Sequence, residues 1–295
     1  MERSRPTFRF APSPTGELHI GHALSAMNAW HWARRLDGRF LLRIEDIDVG
    51  RSRAHFVDQI FDDLRWLGFD WETPVRRQSE HFDAYRAQAQ RLEAMGLLYP
   101  CFATRREIAD AVAKVADHPT DPDGAPLYPH LHKHMASREV EDRKAAGQPL
   151  ALRLDLDRAL AAARQINGNA PITYTSLDGH GAHQTVTAQP ERWGDAVIVR
   201  KDVPASYHLA VVTDDASQGV SHVTRGRDLR AATDLHRLLQ TLLGLPAPLY
   251  HHHRLILDDG GAKFSKRRGA VSLRALREAG ASRDDVLQMV GDIFG

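Results

Sequence analysis

The sequence predicts an α/β protein: a parallel, Rossmann-like sheet split by an insertion and followed by a short helical stub. Three observations predict it. A strand–loop–helix–strand unit occupies the first 44 residues, the texture changes between about 101 and 190, and strand and helix patterns alternate again after that. A strand over 8–11 runs into the breaker cluster Pro12-Ser13-Pro14-Thr15-Gly16. A helix follows over 20–36, with Ile20, Ala23, Leu24, Met27 and Trp30 at helical spacing and Gly38 as its stop. Residues 40–44 form an apolar strand, and a βαβ unit implies parallel pairing.

A second helix spans 54–67, with Phe56, Ile60, Leu64 and Leu67 on one stripe, and a third spans 82–95 up to Gly96. The segment 101–190 is polar and rich in Gly and Pro, as in Asp121-Pro122-Asp123-Gly124, and reads as an insertion with short strands such as 150–154. Strands are expected at 195–200, 208–213 and 220–224, then a helix over 228–243 facing Leu235, Leu238, Leu239 and Leu242 inward. Short helices at 272–279 and 282–290 close the chain. The expected organisation is a first half-domain over 1–100, the insertion over 101–190, a second half over 191–250, and a loop with a helical stub over 251–295.

The totals set bounds. A chain of 295 residues with 42% hydrophobic and 26% charged residues can bury a sizeable core. A net charge of +1 excludes a global basic field and leaves room only for a local basic patch, for which Arg267, Arg268, Arg274 and Arg277 are candidates. The single cysteine, Cys101, permits no intrachain disulfide and fits a reducing compartment. The N-terminus lacks the apolar core of a secretory signal, and no apolar run approaches the roughly 20 residues of a membrane span. A soluble, cytoplasmic monomer is expected.

Two segments carry phosphate chemistry. His19-Ile20-Gly21-His22 follows the Pro/Gly loop at a helix start, a natural anion site. His19 and His22 share one face of the first turn and could contact a phosphate under attack, and Gly21 permits close approach. Lys263-Phe264-Ser265-Lys266-Arg267-Arg268-Gly269 is a basic loop able to cover a polyphosphate. Taken singly, each is as readily a surface junction or a solvated loop.

Together, His-Ile-Gly-His and Lys-Phe-Ser-Lys resemble the paired ATP signatures of the class I aminoacyl-tRNA synthetases, with Phe264 where Met or Leu is usual. Residues 9–16 (Arg-Phe-Ala-Pro-Ser-Pro-Thr-Gly) and 42–48 (Leu-Arg-Ile-Glu-Asp-Ile-Asp) resemble the glutamyl branch. The resemblance covers about 7–295 and implies the class I Rossmann-like fold. It implies that Arg9, Ala11, Ser13, Glu45, Tyr207 and Arg225 bind L-glutamate. It assigns His19, Gly21, His22, Lys263, Ser265 and Lys266 to ATP, with Mg2+, and gives His19, His22 and Lys266 catalytic roles. The chemistry agrees: two guanidinium groups for two carboxylates, and Glu45 for the ammonium. Which arginine takes which carboxylate stays open.

Relatives often carry a Cys-x-Cys, Tyr, Cys zinc site in the insertion. Here Cys101, Tyr128 and His132 stand at or near three of its positions and Ala103 replaces the second cysteine, so either a degenerate zinc site or an unligated loop is open. His251-His252-His253 is read as lying on the nucleotide side. The chain ends soon after the Lys-Phe-Ser-Lys loop, without a long anticodon-reading region. It thereby resembles the short enzymes of this branch that attach glutamate to queuosine in the anticodon loop of tRNA(Asp), which makes that tRNA the expected partner.

Overall fold

The computed structural model describes residues 5–257 and 271–291. Strand β1 (Thr7–Phe10) leads to helix α1 (Ile20–Arg35) and strand β2 (Arg39–Ile44), then to α2 (Ala54–Trp66) and β3 (Glu72–Arg77). β2 lies between β1 and β3 and pairs parallel with both. The return from α1 to β2 is tight at Gly38, where a Cβ would meet the carbonyl oxygen of Pro6 at 2.6 Å, so the turn accepts only glycine without moving backbone.

Next come α3 (Phe82–Ala94), β4 (Leu98–Cys101), α4 (Arg105–Val112), α5 (Ser137–Ala145), β5 (Ala151–Leu154) and α6 (Leu156–Ile166). They are followed by the hairpin β6 (Thr173–Leu177) and β7 (His183–Thr187), and by β8 (Val197–Val199). The last stretch carries α7 (Tyr207–Ser217), β9 (His222–Gly226), α8 (Ala232–Leu243), β10 (Leu249–His253), α9 (Leu273–Glu278) and α10 (Arg283–Val290).

β4, β5 and β8 form a small antiparallel sheet. β10 lies between β6 and β9, parallel to both, with β7 at the outer edge. The two larger sheets meet where β1 abuts the start of β9: Ser221 N donates to Thr7 O at 3.0 Å, and Thr7 N to Ser221 Oγ at 2.8 Å. One core packs Phe8, Leu24, Leu42, Ile60, Leu64 and Val286 between α1, α2, α10 and β1–β2. A second packs Tyr85, Leu154, Leu209, Leu235 and Leu239 among α3, α6, α7 and α8.

The α/β class and the parallel β1–α1–β2 unit agree with the sequence reading, as do the terminal helices, whose Ser272 and Ser282 hydroxyls cap them by accepting from Ala275 N and Asp285 N. One element differs. Residues 208–213, expected as a strand, lie in helix α7. Ser206 starts it, its Oγ accepting from Leu209 N at 3.4 Å. Residues 209–215 are all buried, Asp214 and Asp215 included, so the helix shows no polar stripe and the apolar residues 209–212 at its start read as a strand. β3 was also not anticipated, because Glu72-Thr73-Pro74-Val75-Arg76-Arg77 carries little apolar signal.

Candidate active site

The carboxyl ends of β1, β2, β9 and β10 converge on the N-termini of α1 and α7, the place where open parallel sheets gather ligands. They enclose a cleft of about 470 Å3. Of the residues singled out in the sequence, Arg9, Ala11, Ser13, His19, Gly21, His22, Glu45, Tyr207 and Arg225 all line it. Lys263, Ser265 and Lys266, with Arg267 and Arg268, lie outside the described residues.

The histidine side of the cleft is built by the helix cap itself. His19 is the N-cap of α1: its Nδ1 accepts from Gly21 N at 3.1 Å, while His22 Nδ1 accepts from His19 N at 3.1 Å. This reciprocal box does with imidazoles what Ser and Glu usually do. It leaves the two rings 3.9 Å apart between centroids at the positive end of a 16-residue helix, a place for anionic oxygens.

The opposite side is a buried ion network. Arg43, in the middle of β2, is fully buried. Its Nη1 donates to Asp215 at 2.8 Å and to Gln218 Oε1 at 3.1 Å, and its Nη2 donates to Glu45 at 3.1 Å. Asp215, from α7, also accepts from Arg9 Nε at 3.1 Å, and Arg9 Nη1 donates to Thr224 O at 3.2 Å. Neighbouring Asp214 accepts from Arg76 Nε at 2.7 Å, Gln78 Nε2 at 2.8 Å and Tyr85 Oη at 2.9 Å. Burial pushes the Asp215 carboxyl up, but Arg9 and Arg43 outweigh it and hold it below the ordinary range. At Glu45 burial prevails over Arg43 and Arg9, and its carboxyl is raised. Burial raises the Tyr207 phenol as well.

Arg225 is held differently. It is buried, and its Nη2 donates to Thr233 Oγ1 at 2.7 Å, Nη1 to His236 Nδ1 at 3.3 Å, and Nε to His252 Nε2 at 3.4 Å. Among the described residues no carboxylate lies within 4.0 Å of it. Burial, reinforced by Arg225, lowers His208 to about 4 and His252 to about 2, and pushes His236 well below its usual value. Imidazoles lowered in this way carry no charge near neutral pH, and among the described residues none gives the guanidinium an anionic partner.

The three consecutive histidines of β10 divide their work. His253 lines the cleft and meets Ser25 Oγ at 3.0 Å, His252 supports Arg225, and His251 is buried against Asn28 and Leu177 O. Arg274 and Arg277, the basic-patch candidates of the stub, contact Glu17 at 2.9 Å and Asp63 at 3.7 Å.

Cys101, Tyr128 and His132 do come together, but not as a zinc site. Cys101 Sγ donates to Tyr128 Oη at 3.2 Å, and His132 N donates to the same oxygen at 3.1 Å. His132 Nδ1 accepts from the amides of Phe102 and Ala103, both at 3.1 Å. The phenol oxygen and His132 Nδ1 are already occupied, which leaves one thiol and His132 Nε2, short of the roughly four N or S donors of a structural zinc, and no group of three or more His, Cys, Asp or Glu among the described residues could hold a metal. The donor set does not fit zinc.

Reading the sequence did not single out Arg43, Asp215, His208 or His236 for the site. Arg43, Asp214 and Asp215 had a signal: each is a charge inside an apolar run, and a buried charge requires a partner. Neither histidine had one.

Residues 7–294 match the family model for the catalytic domain of tRNA synthetases class I (E and Q). The chain is 45% identical over 290 residues to the glutamyl-Q tRNA(Asp) synthetase of Rhodobacter capsulatus, covering 96% of this chain and 99% of that protein. It is 39% identical over 279 residues to the glutamate–tRNA ligase of Aquifex aeolicus, covering 94% of this chain and 54% of that one. The solved glutamate-tRNA synthetase of Elizabethkingia anophelis superposes with a TM-score of 0.77 at 25% identity, over 97% of this chain and 61% of that chain.

Proposed function

The chain belongs to the class I tRNA synthetases of the E and Q type, and from that premise we propose that it activates L-glutamate with ATP and transfers it to queuosine in the anticodon loop of tRNA(Asp). The observation that carries the amino-acid half is the charge pattern of the cleft. Arg9 already pairs with Asp215, whereas among the described residues buried Arg225 has no carboxylate partner, and it therefore favours an anionic ligand. A glutamate side-chain carboxylate at Arg225 gives that guanidinium a counter-charge, and the α-ammonium would share Glu45 with Arg43, which holds it at 3.1 Å. Glutamine would leave the guanidinium facing a neutral amide, the situation in which polar sites discriminate strongly.

ATP, with Mg2+ balancing its phosphate charge, fits the α1 end of the same cleft. A glutamate α-carboxylate oxygen attacks the α-phosphorus, a P–O bond forms, and the bond to pyrophosphate breaks. His19 and His22 stand at the helix N-terminus where negative charge builds, so their contribution is positioning and electrostatics. Lys266 is proposed to add a cation there. A cyclopentene hydroxyl of queuosine then attacks the adenylate carbonyl carbon, loses its proton and expels AMP. The acceptor half rests on similarity that spans 99% of the Rhodobacter protein's length. Such a reaction belongs in the cytoplasm, with its tRNA.

Similarity to the Aquifex ligase favours a second reading, in which the tRNA 3′ end accepts glutamate. The test is glutamate-dependent ATP–pyrophosphate exchange by the purified protein without tRNA, followed by mass analysis of digested tRNA(Asp). Exchange plus a glutamylated queuosine nucleoside is expected. Label on the 3′ terminal adenosine of glutamate tRNA would refute the queuosine half, and no exchange under any condition would refute activation.

A further inference from the structure

A guanidinium can only donate hydrogen bonds, and that fixes the protons on a chain of imidazoles behind Arg225. Arg225 Nη1 lies 3.3 Å from His236 Nδ1, so Nδ1 must be the bare nitrogen and Nε2 must carry the proton. His236 Nε2 lies 3.2 Å from His208 Nδ1 and donates to it. His208 Nδ1 is therefore bare, and its proton sits on Nε2. His208 is the second residue of α7, half-buried, and lines the cleft beside Tyr207. Both rings are neutral, because burial and Arg225 hold His208 down to about 4 and His236 well below its usual value, so neither is free to donate at both nitrogens.

We propose that His208 is a specificity-determining residue whose Nε2–H, set by the Arg225–His236–His208 relay, donates to a carboxylate of the amino-acid substrate. The relay sets one imidazole, His236, between this donor and the guanidinium, and Arg225 and His208 line the same cleft, within which one anionic group could meet both. An amide carries no charge and presents an NH2 donor in place of the second oxygen, so two donors aimed at the two oxygens of a carboxylate would leave one of them facing another donor. The inference rests on the proposed glutamate activation for the identity of the ligand, but not for the tautomers.

The experiment has two parts. Long-range 1H–15N correlation of uniformly labelled protein at neutral pH reads the tautomers directly, and Nε2–H is expected at both His208 and His236. An Nδ1–H tautomer at His208 would overturn the relay whatever the ligand proves to be. Exchange kinetics and glutamate titration calorimetry then compare wild type with H208F and H208Q. H208F is expected to raise KM for glutamate about tenfold and leave KM for ATP within twofold, while H208Q, which keeps an N–H at similar reach, recovers most of the affinity. An unchanged glutamate KM in H208F, or equal rises for glutamate and ATP, would refute the role. A wild type that shows the expected tautomers yet binds no glutamate would instead refute the functional reading and the ligand assigned to His208 with it.

Discussion

Replacing Arg43 with Met tests whether the buried ion network is one unit. The guanidinium is fully buried and touches three carboxylates, but the loss is not three full ion pairs. Asp215 keeps Arg9 at 3.1 Å, and Asp214 keeps Arg76 at 2.7 Å with Gln78 and Tyr85. Only Glu45 loses its one hydrogen-bonded cation. Stranding a buried partner costs about 3–5 kcal/mol, so the lower end applies, about 3 kcal/mol. At roughly 2–4 °C per kcal/mol for a chain of this order, Tm should fall by about 6–12 °C. The pH dependence has a definite sign. The folded-state value of Glu45 is already raised, and without Arg43 it rises further. A raised carboxyl binds a proton in the fold that the unfolded chain has released, so stability is lost as pH climbs from the unfolded to the folded value. Urea denaturation followed by circular dichroism at pH 5 and pH 8 should show the larger deficit at pH 8. A deficit under about 1 kcal/mol, or one equal at both pH values, would refute the unit.

Arg225→Leu should raise KM for glutamate by at least ~100-fold, about 3 kcal/mol, with KM for ATP little changed; exchange kinetics at varied glutamate would contradict this if the two constants moved together. Lys266→Ala should slow activation at least tenfold, or ~1.4 kcal/mol, and an unchanged exchange rate would remove that residue from the chemistry. Native mass spectrometry should find no stoichiometric zinc, and 1,10-phenanthroline should leave exchange intact; one bound zinc per chain lost together with activity would overturn the account of Cys101, Tyr128 and His132. Glutamine should fail to support exchange at concentrations that saturate with glutamate, and comparable rates would undo the charge argument at Arg225.

The parts legible in the sequence are those where one physical signal dominates. α2 and α3 show an amphipathic stripe with a glycine stop, α1 is bounded by a breaker cluster and by Gly38, and the short end helices show serine caps. The positions of Arg9, Ala11, Ser13, His19, Gly21, His22, Glu45, Tyr207 and Arg225 around one cleft follow from motifs at strand ends, which a parallel sheet gathers by construction. α7 was hidden because a helix buried all round has no stripe. The histidines behind Arg225 were hidden because their roles exist only across α7, α8 and β10, and no local pattern marks them. Arg43 and Asp214-Asp215 fall between: a lone arginine in one apolar run and two aspartates after another are complementary charges, and their pairing sets β2 against α7.

That pairing spans the chain in time as well as space. Arg43 meets Asp215 across 172 residues, and Arg9 meets it across 206. A ribosome has made the helix cap and the first three strands, with Glu45 beside Arg43, long before Asp215 arrives to bridge the two arginines. Loop closure over such distances is slow relative to helix formation. Until α7 emerges, Arg9 lacks Asp215 and Arg43 keeps only Glu45, so burying both guanidinium groups is costly. The cleft that Arg9, Glu45, Tyr207 and Arg225 line therefore cannot be complete until the last third of the chain has been made.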